Sequence, residues 1–277
     1  MSSYENYSEV SKHYDQTRVP IGAEILIGAL TLLRRSCSHI RLLDAGCGTG
    51  AYAELALPHV DRIDAMDINP GMLAVAREKL ADAASESRIA FHQDSVHKLP
   101  FAAECFDVVT FNQVLHHLET GQDGCFAGHR NAFAEAHRVL RPGGLLVVNC
   151  TNHEQLHRGY WYMHLIPTAL SALYNRCIPS EKLKAMLGDV GFTFEDRFVP
   201  LDGVLQGAAY FQASGPLEQQ WRNAESSWAL APENEITAAV AKLQKLRENG
   251  GLDAYMTEHD GKRRQVGQTT FFMARKL

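Results

Sequence analysis

The chain lacks a Cys-x-x-Cys pair: its six cysteines, Cys37, Cys47, Cys105, Cys125, Cys150 and Cys177, are scattered over 277 residues. That scatter argues against a zinc ribbon or a disulfide framework and fits reduced thiols. No basic block exceeds the triplet Lys262-Arg263-Arg264, and the formal net charge is -5. A phosphate backbone needs a cationic footprint, so no nucleic-acid partner is expected. The apolar stretch Ile21 to Leu33 falls short of the roughly 20 residues a bilayer span requires, and it follows acidic Glu5 and Glu9 where a signal peptide carries positive charge. Neither a membrane span nor an export signal is expected, and the cytosol is the expected compartment. Internal repeats and low-complexity tracts are missing too.

What is present is an ordinary globular composition, 45% hydrophobic and 21% charged, on a chain long enough to bury a large core. A single domain over residues 1–277 is expected. Residues 1–40 form its N-terminal helical segment, with an amphipathic helix at Ile21 to Arg35, and 41–150 form its core. Between Arg41 and Cys150 short apolar strands alternate with helical stretches, the pattern of βαβ units and a parallel sheet. The strands are expected at Arg41–Ala45, Arg62–Asp67, Ile89–Asp94, Phe106–Phe111 and Leu145–Cys150, with a helix at Pro70–Ala83 and another stopped by Arg141-Pro142-Gly143-Gly144. Downstream, 192–199 and 269–275 read as terminal strands. Residues 151–191 and 203–265 are expected as insertions over the site, the second holding two helices and suiting a lid or a dimer contact equally.

Leu42-Leu43-Asp44-Ala45-Gly46-Cys47-Gly48-Thr49-Gly50 runs from an apolar strand through three alternating glycines into a helix. Such glycines permit a tight turn and let a ligand approach backbone N–H groups. The spacing alone leaves the ligand open, because Gly46-x-Gly48-x-x-Ala51 also satisfies a dinucleotide fingerprint. Asp67, ending the second strand, is placed to accept from ribose hydroxyls, a need shared by NAD and S-adenosylmethionine.

The order of segments resembles the Rossmann-like, class I S-adenosylmethionine-dependent methyltransferases. The glycine segment is similar to their first motif, Asp67-Ile68-Asn69-Pro70-Gly71-Met72-Leu73 to the second and His92-Gln93-Asp94-Ser95 to the third. Phe106 to Leu118 resembles the strand and turn that follow, and Arg138 to Gly144 the closing motif. The resemblance implies an α/β, doubly wound, mostly parallel sheet whose last strand is antiparallel, with helical lid insertions. It also implies S-adenosylmethionine as cofactor.

By that resemblance Gly46, Gly48 and Gly50 pass beneath the methionine portion and Asp67 takes the ribose. Ile68 and Met72 press on the adenine, Asp94 accepts from its amino group, and the Ser95 N–H faces a ring nitrogen. Asn112 lies where backbone groups meet the cofactor's amino group, and Asp44 is a direct or indirect partner of that ammonium. Tyr14 lines the methyl-transfer end and Arg18 meets the carboxylate, a task suited to a two-pronged donor.

Histidine titrates near neutrality, so His116 and His117 are the candidate bases, with packing or capping as the alternative. Tyr14, His116, Tyr160, Tyr162 and Tyr210 are candidate walls of a substrate pocket. His153, His157 and His164 lack a third ligand at a recognisable interval, so no metal is expected. Lys262-Arg263-Arg264 is expected to face solvent. The expected activity is methyl transfer to N, O or S of a small molecule. A methyltransferase for protein or RNA, and a non-catalytic cofactor-binding subunit, are the alternatives.

Overall fold

The computed structural model describes residues 18–121 and 124–277. Seven strands form one sheet: β1 (Arg41–Ala45), β2 (Arg62–Asp67), β3 (Ile89–Gln93), β4 (Phe106–Asn112), β5 (Leu140–Cys150), β6 (Phe192–Phe198) and β7 (Thr270–Lys276). Their order is β3-β2-β1-β4-β5-β7-β6. Pairing is parallel from β3 through β5, and β7 runs antiparallel to both β5 and β6. From β1 the chain winds outward to β2 and β3, then returns to place β4 on the other side. Doubly wound sheets open a crevice at that reversal, beyond the carboxyl ends of the strands.

Alternation along the strands builds two apolar layers, because successive side chains point to opposite faces. Leu43, Val109, Leu146, Val148 and Phe272 meet α5 (Ala127–Val139) and α8 (Ser180–Asp189) on one face. Leu42, Val108, Leu145, Val147 and Phe271 meet α1 (Ala23–Leu33), α2 (Ala51–Ala56) and α3 (Pro70–Lys79) on the other. A third apolar cluster, centred on Trp161, Tyr162, Tyr210 and Trp228, belongs to the two insertions.

Three expectations change. The helix expected over 70–83 ends at Lys79 and resumes as the short α4 (Ala81–Ser85). β5 begins at Leu140 and not at Leu145, because Leu140 pairs with Phe106 ahead of a register shift, and Arg141 ties the shift down through Asp107 at 2.7 Å. Besides three short 3-10 turns, the segment 203–265 holds four α-helices where two were expected: α9 (Gln219–Asn223), α10 (Glu233–Glu248), α11 (Leu252–Asp260) and α12 (Arg263–Val266). Gly250 (φ 74°) carries the chain between α10 and α11 in a left-handed conformation few other residues adopt. The first insertion contributes α6 (His153–Arg158) and α7 (Pro167–Arg176).

Candidate functional site

At the carboxyl ends of β1, β2 and β4 the chain surrounds a cavity of about 380 Å³. Its floor is the glycine turn. Gly46 and Gly48 have φ of 79° and 54°, left-handed conformations that cost a residue with a side chain. A Cβ on Gly46 would lie 2.3 Å from Val114 Cγ2, whereas one on Gly48 would meet nothing within 4 Å. Gly46 is thus required by packing against the protein. Gly48 leaves open space above the turn for a close approach from the cavity.

Asp67 braces this turn. Its Oδ2 accepts from Gly48 N–H and its Oδ1 from Asn69 N–H, both at 2.8 Å. Each carboxylate oxygen has a second lone pair, so further donors can still be received from the cavity that Asp67 lines. Burial pushes its pKa upward. Asn69 caps α3 by accepting from Gly71 and Met72 N–H at 2.8 and 3.1 Å, with Pro70 at the first helical position. That cap presents Ile68 and Met72 to the cavity. Ile68 is 45% exposed, an apolar side chain available to an apolar ligand face.

Asp44 lies beneath the turn, buried and outside the cavity wall. Thr110 Oγ1 and Asn112 Nδ2 donate to its Oδ1 at 2.8 and 3.1 Å, while its Oδ2 has no partner. Burial raises its pKa to about 6. Asn112 does line the cavity, so the route from Asp44 to a ligand is indirect. Asp94 and Ser95 sit on the wall after β3, but Ser95 N–H donates to Asp94 Oδ1 at 2.7 Å. The expected free Ser95 N–H is therefore engaged.

His116 and His117 form a single turn after β4 and both line the cavity, with ring centroids 3.9 Å apart. Burial, reinforced by Arg176 and Arg18, lowers the pKa of His116 to about 4, and burial lowers His117 as well. Both imidazoles are neutral at pH 7.

The opposite wall comes from the insertions: Tyr160, Tyr162, Met163, Leu173 and Cys177 from the first, Gln206, Glu225 and Ser227 from the second. Glu225 is the hub. It pairs with Arg18 and accepts from Tyr162 Oη at 2.7 Å and Gln206 Nε2 at 2.8 Å.

Several expected residues stand differently. Gly50 does not line the cavity; an added Cβ would press Leu80 and Ala76, so its lack of a side chain serves contact between the turn and α3. Tyr210 is no pocket wall: it is fully buried, and its hydroxyl meets Asp260 at 2.6 Å. Arg18 lines the cavity but already pairs with Glu225. Arg263 is buried and not solvent-facing, bonded to Asp260 and to Leu201 O. Tyr14 lies outside the described residues. Among the described residues no cluster of metal-ligating side chains occurs, and no helix is long and apolar enough to cross a membrane.

Sequence reading missed Glu225, Gln206, Ser227 and Gln113. A lone glutamate or glutamine in a helical insertion carries no local signal. Gln113 has φ 56° and is held there by Asn149, which receives its backbone N–H at 2.8 Å and its Nε2 at 3.1 Å.

Residues 43–148 match the family profile described as a methyltransferase domain. The chain is 28% identical over 176 residues to a protein of Mycolicibacterium smegmatis named as an S-adenosylmethionine-dependent methyltransferase, covering 64% of this chain and 59% of the relative. It is 37% identical over 112 residues to a ubiquinone/menaquinone biosynthesis C-methyltransferase of Stutzerimonas stutzeri, covering 39% and 40%. The chain thus spans about half the length of these curated relatives or less. A crystal structure from Anabaena variabilis, described as a methyltransferase from an antibiotic biosynthesis pathway, superposes with a TM-score of 0.71 at 20% identity, covering 95% of this chain and all of the other.

Proposed function

We propose that this chain, a class I S-adenosylmethionine-dependent methyltransferase by its domain at residues 43–148, methylates a small molecule held between the glycine turn and the insertions. The observation that carries this reading is one cavity walled on one side by Gly46, Gly48, Asp67, Ile68 and Met72 and on the other by Tyr160, Tyr162, Met163 and Leu173. Cofactor and acceptor share one enclosed space, as a direct transfer requires.

The residues present fit the cofactor. Gly48, without a side chain and with its N–H held by Asp67, lets the cofactor approach the turn closely, Asp67 retains lone pairs for ribose hydroxyls, and Ile68 and Met72 offer apolar contact to the adenine. Asp94 accepts from the adenine amino group, and Asn112, held by Asp44, faces the ammonium end. The cofactor's sulfonium supplies both electrophile and leaving group. The protein's task is to align the acceptor and exclude water. His116 and His117, neutral at pH 7, accept a hydrogen bond from an acceptor hydroxyl or amine.

N, O and S remain the acceptor atoms proposed. The relative from Stutzerimonas stutzeri is named a C-methyltransferase of ubiquinone/menaquinone biosynthesis, which adds an activated carbon to that set. Walls on both sides favour a compact acceptor over a protein or RNA segment. Isothermal titration with S-adenosylmethionine, Asp67→Ala in parallel and NADH as control, tests the reading. Saturable binding that the substitution weakens at least tenfold is expected; absence of binding, or preference for NADH, overturns it.

A further inference from the structure

Three polar side chains in the insertion half of the cavity wall are each about 95% buried: Glu225, Gln206 and Ser227, each 5% exposed. Glu225 is fully engaged, by Arg18 on Oε1 and by Tyr162 Oη and Gln206 Nε2 on Oε2. Gln206 Nε2 also donates to Tyr162 Oη at 2.7 Å. These contacts fix the amide's orientation. A carboxylate only accepts, so the amide must turn its NH2 group toward Glu225, and reversing it would set oxygen against oxygen. The consequence is that Gln206 Oε1 is left without a partner, and Ser227 Oγ is also without one. Buried polar groups are satisfied in most folded proteins, so each exception calls for a physical cause.

We propose that Gln206 and Ser227 recognise the methyl acceptor, with Glu225 as the positioning residue, and that the acceptor is a largely apolar, ring-sized molecule carrying a hydrogen-bond donor, a hydroxyl or an amine. The proposal rests on the small-molecule methyltransferase reading above. Tyr160, Tyr162, Met163 and Leu173 supply the apolar walls and Gln206 and Ser227 line the same cavity. Both unpartnered oxygens lie just behind the wall surface, so the acceptor reaches them by a small side-chain movement, and an ether or carbonyl oxygen cannot satisfy the Gln206 Oε1 it meets there. Sites built to pair with a substrate hydroxyl or amine discriminate strongly against analogues that lack it, because the site's own group is then left bare. Glu225 sets the sign of that preference without needing to touch the acceptor.

The test uses the full chain loaded with S-adenosylhomocysteine. Affinities for 4-ethylphenol and tyramine, which donate, are compared with 4-ethylanisole, which only accepts, by ligand-observed NMR. The donors are expected to bind at least tenfold more tightly. Gln206→Leu should erase that ratio while S-adenosylhomocysteine affinity, read by calorimetry, stays within threefold. Glu225→Gln frees the Gln206 amide to turn, so the ratio should invert in favour of 4-ethylanisole, an outcome that simple loosening of the fold does not produce. Equal binding of the three probes, no binding of any up to millimolar concentration, or a ratio that survives Gln206→Leu overturns the proposal. Failure of S-adenosylhomocysteine to bind overturns the methyltransferase reading instead, and the donor preference is then read on the unloaded protein.

Discussion

Two glycines separated by one cysteine have opposite reasons for lacking a side chain. A Cβ on Gly46 collides with Val114, while one on Gly48 enters open cavity. Gly46→Ala is therefore expected to destabilise the fold by about 2–4 kcal/mol, combining left-handed strain with overpacking. Gly48→Ala should cost only about 1–2 kcal/mol of stability but lose most cofactor affinity. Denaturant melts and calorimetry on both variants separate the effects, and equal stability loss would refute the assignment. Asp44 makes a pH prediction. Its folded pKa of about 6 stands above its ordinary 3.8, so the folded state favours the protonated acid. That contribution is full below 3.8 and is lost as pH rises through 6, a difference of about 3 kcal/mol. A bound ammonium reverses the preference. Affinity for S-adenosylmethionine is expected to rise about tenfold between pH 5 and 7, and Asp44→Asn should flatten that slope. An unchanged slope in the variant would assign the titration elsewhere.

At the scale of elements, strands were the most legible. β1 and β2 match their expected bounds because a buried parallel strand is a short apolar run closed by a turn signal. The insertions were less so. Their helices pack on one another through Trp161, Tyr162, Tyr210 and Trp228, and such partners are set by distant residues rather than local periodicity. Trp161 is fully buried and donates from Nε1 to Tyr210 O at 3.0 Å. Trp161→Ala is expected to cost about 3–5 kcal/mol within this cluster. Amide exchange should then quicken across residues 151–177 and 203–260 while β1, β4 and β5 stay protected. Uniform loss of protection would mean that insertions and sheet unfold as one unit.

For the whole molecule, one cavity joins the sheet's carboxyl edge to the insertions, so a ligand there bridges both. At a hundred times its dissociation constant S-adenosylhomocysteine should add about 2.7 kcal/mol and raise Tm by roughly 5–10 °C. A calorimetric scan in which only part of the transition moves would show that the halves melt separately. The sequence by itself determined the sheet, the glycine turn and the acidic ends of β1 and β2. These depend on local conformational rules: left-handed φ at glycine, Asn69 and Pro70 at a helix start, apolar runs in buried strands. Only the tertiary structure decided that Gly50 serves packing, that Arg263 and Tyr210 are buried together, and that Arg18 from one end of the chain meets Glu225, 207 residues away. The wall that the insertions add to the cavity depends on that kind of long-range pairing, in which a side chain's neighbours, and not its sequence context, fix its orientation and its partners.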